Sequence, residues 1–402
     1  MTIGSLDIRG AGTEAGRGPA GTVFDYPEPA GPSQVSAYQP TRAYSGAPVT
    51  AIVDTPEEAE ALDRPPLLVR RPLEAHLDAH GLGSGPITAE PVGDGHSNVT
   101  YLVSRGDTEF VLRRPPRPPL PPSAHDVLRE ARLLTAVQDA AVRTPRVLLT
   151  CDDESVIGAP FYVMERVKGD VIVDRVPGRL DSVQERRRIG EELVDALVEI
   201  HAVDWQACGL EGYGKPTGYL ERQLRRFGGL WEHNKTRELP VLDDLTAWLA
   251  EHRPESGPAT IVHGDYRLGN VMFGPGRPAR LCSIFDWELA TIGDPLADVG
   301  YLIATWGQEG DPETPFAALG GLTRGAGFAT RDELVARYEA GSGRSMSDVR
   351  WYMTLALWKS AIFLEGSYQR RLAGTTDDPW FDLLEQGVPD VAERAWRVAQ
   401  GG

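Results

Sequence analysis

Between positions 263 and 288 the chain reads His263-Gly-Asp265-Tyr-Arg-Leu-Gly-Asn270 and then Ile284-Phe-Asp286-Trp-Glu288. Side chains of these types at this spacing suit the transfer of a phosphoryl group from a nucleotide to a hydroxyl. That reaction needs a carboxylate beside the acceptor hydroxyl, to orient it and take its proton, and oxygen ligands that hold Mg²⁺ between the phosphates. Asp265, with Asn270 five residues later, supplies a base and an amide ligand from one short loop. Asp286, at the end of a short apolar run, supplies the carboxylate that bridges to the metal. An Asp and an Asn five apart occur often by chance. The whole pattern, H-G-D-x-x-x-x-N with a further Asp 16 residues after the Asn, is much more specific.

The spacing after Asp286 also bears on the acceptor. Gly293-Asp294-Pro295 arrives only seven residues after Asp286, and Asp298-Val-Gly-Tyr reads as a helix start. There is no room for a long segment on which a peptide could lie, so the acceptor is expected to be a small molecule. Asp294 and Asp298 read as braces for the Asp265 loop. Glu288 either adds a second metal contact or faces solvent.

Two other patterns are decoys. Gly209-LEGY-Gly214-Lys215 has the spacing of a phosphate-binding loop, but Pro216 stands where Ser or Thr must offer a hydroxyl to Mg²⁺. His76-LDA-His80 has the i, i+4 spacing of a zinc pair on a helix. Leu77 stands where a zinc protease needs its Glu, and no third ligand is apparent.

The elements that must position the motif can be read from periodicity. Residues 99–103 and 109–113 are β-rich runs joined by Ser104-Arg105-Gly106-Asp107, a hairpin pattern. Residues 115–122 hold six prolines in eight, which makes a stiff extended connector. Ser123-x-x-Asp126 opens a helix with Val127, Leu128, Ala131, Leu134 and Val137 on one stripe. Residues 147–151 and 160–167 follow as strands. After Gly169 the pattern turns helical, with Ser182-x-x-Glu185 opening a helix that carries Ile189, Leu193, Leu197 and Ile200 on one face. Leu242, Leu245 and Leu249 mark another helix, Trp351, Leu355, Trp358 and Ile362 a third, and residues 280–285 a short strand. The first 50 residues hold eight Gly and six Pro, and residues 1 to about 64 read as a flexible arm, or as one laid along the folded body by Phe24, Tyr26, Tyr38 and Tyr44.

Composition narrows the partners. Of 402 residues, 41% are hydrophobic and 25% charged, enough apolar material for a sizeable core. Lys+Arg 41 against Asp+Glu 58 leaves −17, which argues against bulk nucleic-acid binding. No apolar run of about 18 residues offers a membrane span. Three scattered cysteines, Cys151, Cys208 and Cys282, give no disulfide framework and fit a cytoplasmic setting. Within this acidic chain, residues 221–237 carry five cations against two glutamates, a patch that suits an anionic ligand or is simply a solvated helix face.

HGDYRLGNVMF and SIFDWELATIGDPLADVGYL resemble the catalytic and metal-binding segments of the aminoglycoside phosphotransferase / choline kinase-like family. Further segments, GHSNVTYLV, FVLRRPP, SAHDVLREARLL, VIGAPFYVMERVKG and GLEGYGKPTGYLERQ, resemble the branch associated with acyl-CoA dehydrogenases. The resemblance is close from about residue 90 to 306. It implies an α+β, protein-kinase-like bilobal fold with a small strand-rich N-lobe and a larger, mainly helical C-lobe. The corresponding division is an arm over 1–64, a nucleotide-binding N-lobe over 65–168 and a C-lobe over 169–402. It implies Asp265 as catalytic base, with Asn270 and Asp286 as Mg²⁺ ligands.

Position by position, the resemblance makes 92–98 the loop over the phosphates, with Gly93, Gly95 and Ser97 at the nucleotide. Arg113 falls where kinases place the Lys that pairs with the α/β-phosphates, and Glu130 is its ion-pair partner. Met164, Glu165 and Val167 belong to the hinge that meets the nucleobase. Two departures stand out. Arg replaces Lys, a fork in place of a point charge, and Arg114 beside it competes for the role; strand alternation allows only one on the inner face, and register favours Arg113. The metal segment reads Asp-Trp-Glu rather than Asp-Phe-Gly. The implied activity is a Mg²⁺-dependent kinase using ATP or GTP on a small-molecule alcohol, with a hydroxyacyl-CoA as the implied acceptor and a functional link to an acyl-CoA dehydrogenase. The alternatives are an aminoglycoside or macrolide phosphotransferase and a catalytically silent nucleotide-binding scaffold.

Overall fold

The computed structural model describes residues 52–92, 98–118, 120, 125–311, 321–374 and 379–401. It begins with β1 (Ile52–Val53) and α1 (Pro56–Glu60), then β2 (Leu68–Val69) and α2 (Arg70–Ala79). Thr55 caps α1 and Pro56 occupies its first turn, where a missing N–H costs nothing. β1 pairs in parallel with β2, and Arg70 holds Asp54 at 2.6 Å. Residues 52–64, expected as the end of the arm, therefore dock on the folded body, where Val53 is buried opposite Val69 and Ile52 packs against the core that holds Leu68.

The N-lobe is an antiparallel five-stranded sheet. Its strands are β3 (Ile87–Val92), β4 (Val99–Arg105), β5 (Thr108–Arg114), β6 (Val147–Cys151) and β7 (Phe161–Glu165), in the order β3-β4-β5-β7-β6. The expected hairpin is β4–β5, turned at Gly106 with φ 56°. Strand alternation sends Tyr101, Val103, Phe110 and Leu112 into a core shared with Leu73 and Leu77 of α2. The other face receives α3 (Val127–Val137), whose Val127, Ala131, Leu134 and Val137 are buried as the helical period predicts. Its cap is Asp126, which accepts from the Arg129 N–H at 2.9 Å, while the expected capping residue Ser123 lies outside the described residues.

The C-lobe opens with β8 (Asp170–Val171) and α4 (Val183–His201), the latter capped by Ser182 as its sequence predicts. Ile189, Leu193, Leu197 and Ile200 of α4 are fully buried. Then follow α5 (Tyr219–Asn234), α6 (Pro240–Glu251), β9 (Thr260–Val262), β10 (Val271–Phe273), β11 (Leu281–Ile284), β12 (Thr291–Gly293) and α7 (Leu296–Thr305). The last elements are α8 (Arg331–Ser342), α9 (Val349–Leu372) and α10 (Leu384–Ala399). β8, β10 and β11 form one small sheet and β9 with β12 another, and between them they present the loops that carry the motif. No helix among the described residues is long and apolar enough to cross a membrane.

Helices α7 and α9 cross closely at Gly300. A Cβ there would stand 2.5 Å from the Tyr352 carbonyl carbon, backbone that cannot swing aside. Gly300→Ala is expected to cost about 1–3 kcal/mol through overpacking. Urea unfolding measures it, and an unchanged midpoint would mean that the crossing is loose.

Candidate active site

Strand β9 ends at Val262 and delivers His263-Gly264-Asp265 into the cleft. Gly264 turns the chain with φ 89°, and a Cβ there would meet the Leu289 Cβ at 2.9 Å and its carbonyl oxygen at 3.0 Å. Both the positive φ and the close approach require glycine. The turn is braced from α7, where buried Asp298 accepts the His263 N–H at 2.6 Å and the Gly264 N–H at 2.8 Å. His201 stands 3.4 Å from the same carboxylate and 2.7 Å from the Tyr338 hydroxyl. The His263 ring ties the two halves of the motif together. Its Nδ1 accepts the Asp265 N–H at 3.2 Å, so its Nε2 carries the proton and donates to the Phe285 carbonyl at 2.9 Å. The Phe285 N–H returns to the Asn270 carbonyl at 2.9 Å.

Burial alone would raise the Asp298 carboxyl, but His201, His263 and the Gly264 N–H outweigh it and hold the group below its ordinary value. A carboxylate lowered in this way stabilises the fold above its unfolded pKa, near 3.8, and loses that contribution as pH falls through the lowered folded value. Asp298→Asn is therefore expected to cost about 1–3 kcal/mol at neutral pH. The gap to the wild type should shrink as the solution is acidified below the ordinary carboxylate range. Urea titrations at several pH values test this, and a gap independent of pH would contradict it.

Asp265 is only 3% exposed. Its Oδ2 accepts from Asn270 Nδ2 at 2.8 Å, and the same amide nitrogen reaches the Asp265 carbonyl at 2.9 Å. Its Oδ1 is buried yet has no well-formed hydrogen bond, and Arg267 Nε stands 3.5 Å away. Burial opposes the charge of Arg267, but Asp265, Tyr301 and Asp286 together keep its guanidinium firmly protonated.

Asp286 follows β11 in the left-handed region, φ 66° and ψ 57°. Such a conformation costs a non-glycine residue on the order of 1 kcal/mol and is tolerated best by Asp and Asn. Arg113, on β5, donates from Nη2 to Asp286 Oδ1 at 2.8 Å and from Nε to Glu130 Oε2 at 2.9 Å. The second oxygen of Glu130 accepts the Trp287 N–H at 3.2 Å, so α3 grips the Asp286 loop from the N-lobe side. Burial works against the charge of Arg113, yet Glu130, Tyr162, Asp286 and Glu288 hold it well above its ordinary range. Arg114 points to the opposite face, donating to the Leu67, Pro115 and Ile157 carbonyls. Glu288 does not face solvent. Its side chain is 11% exposed, accepts from Asn98 Nδ2 at 3.2 Å and lies 3.9 Å from Arg113 Nη2.

The structure thus brings Asp265, Asn270, Asp286, Arg113 and Glu130 together. Gly93, Gly95 and Ser97 lie outside the described residues; Asn98, which follows them, is buried against Glu288. Met164 is buried at the end of β7, Glu165 and Val167 are half-buried, and the Glu165 N–H is already given to the Arg146 carbonyl at 2.9 Å. Asp294 accepts from the Tyr352 hydroxyl at 2.8 Å and the Leu296 N–H at 3.0 Å, so these bonds tie α7 to α9, and the Asp265 turn is braced by Asp298. β12 and α7 follow Asp286 almost at once, consistent with the short spacing. The sequence does not announce Arg267 or Tyr301 beside Asp265, nor that Asn98, at the end of the 92–98 loop, meets Glu288. Arg267 lies inside the motif, two residues after Asp265, and its position there was the available signal.

The decoys resolve as packing features. Gly214 lies where a Cβ would meet the Ile292 backbone nitrogen at 2.5 Å, so its smallness serves contact with β12. The rings of His76 and His80 lie 4.5 Å apart at a 37° tilt, and no group of three or more candidate metal ligands exists among the described residues.

Comparison with known proteins accords with this geometry. Residues 88–351 match the model of the phosphotransferase enzyme family. A solved structure of a candidate aminoglycoside phosphotransferase from Ralstonia eutropha is 33% identical, with a TM-score of 0.72 over 82% of this chain and 98% of that one. Spectinomycin phosphotransferase, solved with ADP and spectinomycin, shares the fold at 10% identity, with a TM-score of 0.54 over 82% of this chain and 99% of its own. Mouse acyl-CoA dehydrogenase family member 10 is 33% identical over 333 residues, covering 81% of this chain but 30% of that protein. The chain spans less than half the length of the curated relatives it matches. With its family match over most of the folded body and its motif assembled in one cleft, the chain belongs to the phosphotransferase enzyme family, small-molecule kinases of protein-kinase-like fold.

Proposed function

We propose that the chain is a Mg²⁺-dependent kinase that moves the γ-phosphoryl of ATP or GTP to a hydroxyl of a small molecule, with a hydroxyacyl-CoA as the acceptor class. The observation that carries the reading is Asp265. One carboxylate oxygen is pinned by Asn270 and the other is buried without a well-formed hydrogen bond. In this reading that second oxygen accepts the hydroxyl proton. Asn270 and Asp286 would hold Mg²⁺, since two oxygen donors beside a nucleotide are what Mg²⁺ asks of a protein when phosphates and water complete its shell. When bound, the metal neutralises charge on the phosphates.

The other roles are those the family resemblance implies, with the contacts of Arg113 and Arg267 in support. Arg113, fixed by Glu130, would turn its Nη2 from Asp286 toward the α/β-phosphates. Gly93, Gly95 and Ser97 would form the loop above them, and Met164, Glu165 and Val167 the hinge at the base, with Val167 rather than the committed Glu165 N–H reading its edge. Arg267, beside Asp265 and within the field of Asp286, would neutralise the phosphoryl group in flight. The hydroxyacyl-CoA acceptor is supported by the acyl-CoA dehydrogenase names of the curated relatives, which also suggest a functional partner of that kind. Three free cysteines far apart in sequence suit a cytoplasmic setting.

A thermal-shift comparison tests the nucleotide part. Mg-ATP or Mg-GTP at 100 times its Kd should stabilise the protein by about 2.7 kcal/mol. No shift with either nucleotide would overturn the reading. A shift without nucleoside-diphosphate release on any acceptor would favour a silent scaffold.

A further inference from the structure

The Gly209–Gly214 segment fails as a phosphate loop, and the kinase chemistry gives it no part. It joins α4 to α5 in the C-lobe and lies against α3, the N-lobe helix that carries Glu130. Gly209 and Gly212 take positive φ, 72° and 76°, and the segment curls so that three of its carbonyls face α3. Arg129 donates from Nη2 to the Tyr213 carbonyl at 3.0 Å, and its guanidinium carbon lies 3.9 Å from the centre of the Tyr213 ring. Arg132, on the same face of α3, donates from Nη2 to the Glu211 carbonyl at 3.2 Å and the Gly209 carbonyl at 3.4 Å. Tyr213 is only 5% exposed, so its contact with the Arg129 cation is made where water screens it little. The other end of the segment is set by Gly214, which packs on β12.

These contacts fix a helix on which the site depends. Successive residues point about 100° apart around a helix axis, so holding Arg129 and Arg132 on one side sets the direction of Glu130. Glu130 is 2% exposed and meets both halves of the site, Arg113 Nε at 2.9 Å and the Trp287 N–H at 3.2 Å. A second fastening follows α3. There Arg143 donates to the two carboxylate oxygens of Glu199 at 2.8 and 2.7 Å and to Glu192 at 2.6 Å, both on α4. We propose that residues 209–214 are a clasp that fixes α3 to the C-lobe, with Arg129 and Tyr213 as positioning residues for the Glu130–Arg113 pair. The clasp thereby sets the angle from which Arg113 meets the nucleotide phosphates. The proposal rests on the kinase reading and deepens it.

The test uses the full chain, with Mg-ADP titrated by calorimetry well below the melting temperature. Arg129→Met removes the cation and its hydrogen bond, and Tyr213→Ala removes the ring. Each should weaken Mg-ADP binding by about tenfold, the scale of coupling between residues that share partners. Tyr213→Phe should bind as the wild type does. It keeps the ring and the backbone carbonyl, and the Tyr213 hydroxyl has no hydrogen-bond partner among the described residues. Added to Glu130→Gln, Arg129→Met should cost little more, since the clasp acts through that carboxylate. A merely structural clasp would lower the melting temperature of the variants and leave the Mg-ADP affinity of the folded protein unchanged. The inference is overturned if Arg129→Met and Tyr213→Ala bind Mg-ADP as the wild type does, or if the loss adds in full to that of Glu130→Gln. Arg129 is half-buried, so its variant carries the test should Tyr213→Ala fail to fold. Failure of the kinase reading shows separately, as absence of Mg-ADP binding to the wild type. The clasp is then read by hydrogen exchange, where the α3 amides should exchange faster in Arg129→Met and equal exchange overturns it.

Discussion

Asp265→Ala is expected to lower turnover by on the order of 10²–10⁴, the range for a lost general base. Mg-nucleotide binding should survive, because Asn270 and Asp286, the proposed metal ligands, remain. The separation is sharp for a structural reason. Asp265 makes one well-formed side-chain hydrogen bond, from Asn270 to Oδ2, and its Oδ1 faces Arg267 at 3.5 Å, contacts that lie apart from Asp286 and the N-lobe. Asp265→Asn is the companion variant, since it keeps the shape of the side chain and removes its basicity. Steady-state kinetics with the best acceptor, alongside the nucleotide thermal shift, measure both halves. Wild-type turnover in either variant would remove Asp265 from the chemistry. Loss of nucleotide binding together with turnover would make its role structural.

Asp286 has the second large effect, and its backbone dictates the variant. At φ 66° an Ala would be strained, whereas Asn tolerates the left-handed region. Asp286→Asn should therefore fold and still lose the carboxylate proposed to hold Mg²⁺. The Mg²⁺-dependent stabilisation by nucleotide, about 2.7 kcal/mol at 100 times Kd in the wild type, should fall toward zero. Arg113 loses its charged partner in this variant but keeps Glu130 at 2.9 Å, so the N-lobe should stay assembled. Retained Mg²⁺-dependent stabilisation would move the metal elsewhere, and Glu288, in the same cluster, would be the first residue to examine.

The parts of this architecture that could be read from sequence are those written in local periodicity. The β4–β5 hairpin, the buried stripe of α3, the Ser182 cap of α4 and the β11 strand before Asp286 each follow from a few adjacent residues. Strand register likewise separated Arg113 from Arg114, since alternate residues must face opposite sides. Contacts made across long separations in sequence were not legible. Asn98 reaches Glu288, and Asp298 reaches back to His263 and Gly264. The docking of residues 52–64 was hidden for a related reason. A two-residue strand, Ile52–Val53, has no period to detect, and its stability comes from its partner at Leu68–Val69. The basic stretch 221–237 shows the converse, where a local charge count overstated what the fold leaves unpaired.

The most direct measurement is Mg²⁺-dependent release of nucleoside diphosphate by the full chain, with ATP and with GTP, across hydroxyacyl-CoAs, aminoglycosides, macrolides and choline-like alcohols. Wild type and Asp265→Asn would be run in parallel. The expected result is acceptor-stimulated release with at least one hydroxyacyl-CoA, abolished without Mg²⁺ and lowered by on the order of 10²–10⁴ in the variant. Release that is equal in both proteins, or absent with every acceptor while Mg-nucleotide still binds, would contradict the assignment of Asp265 as the base of a working kinase.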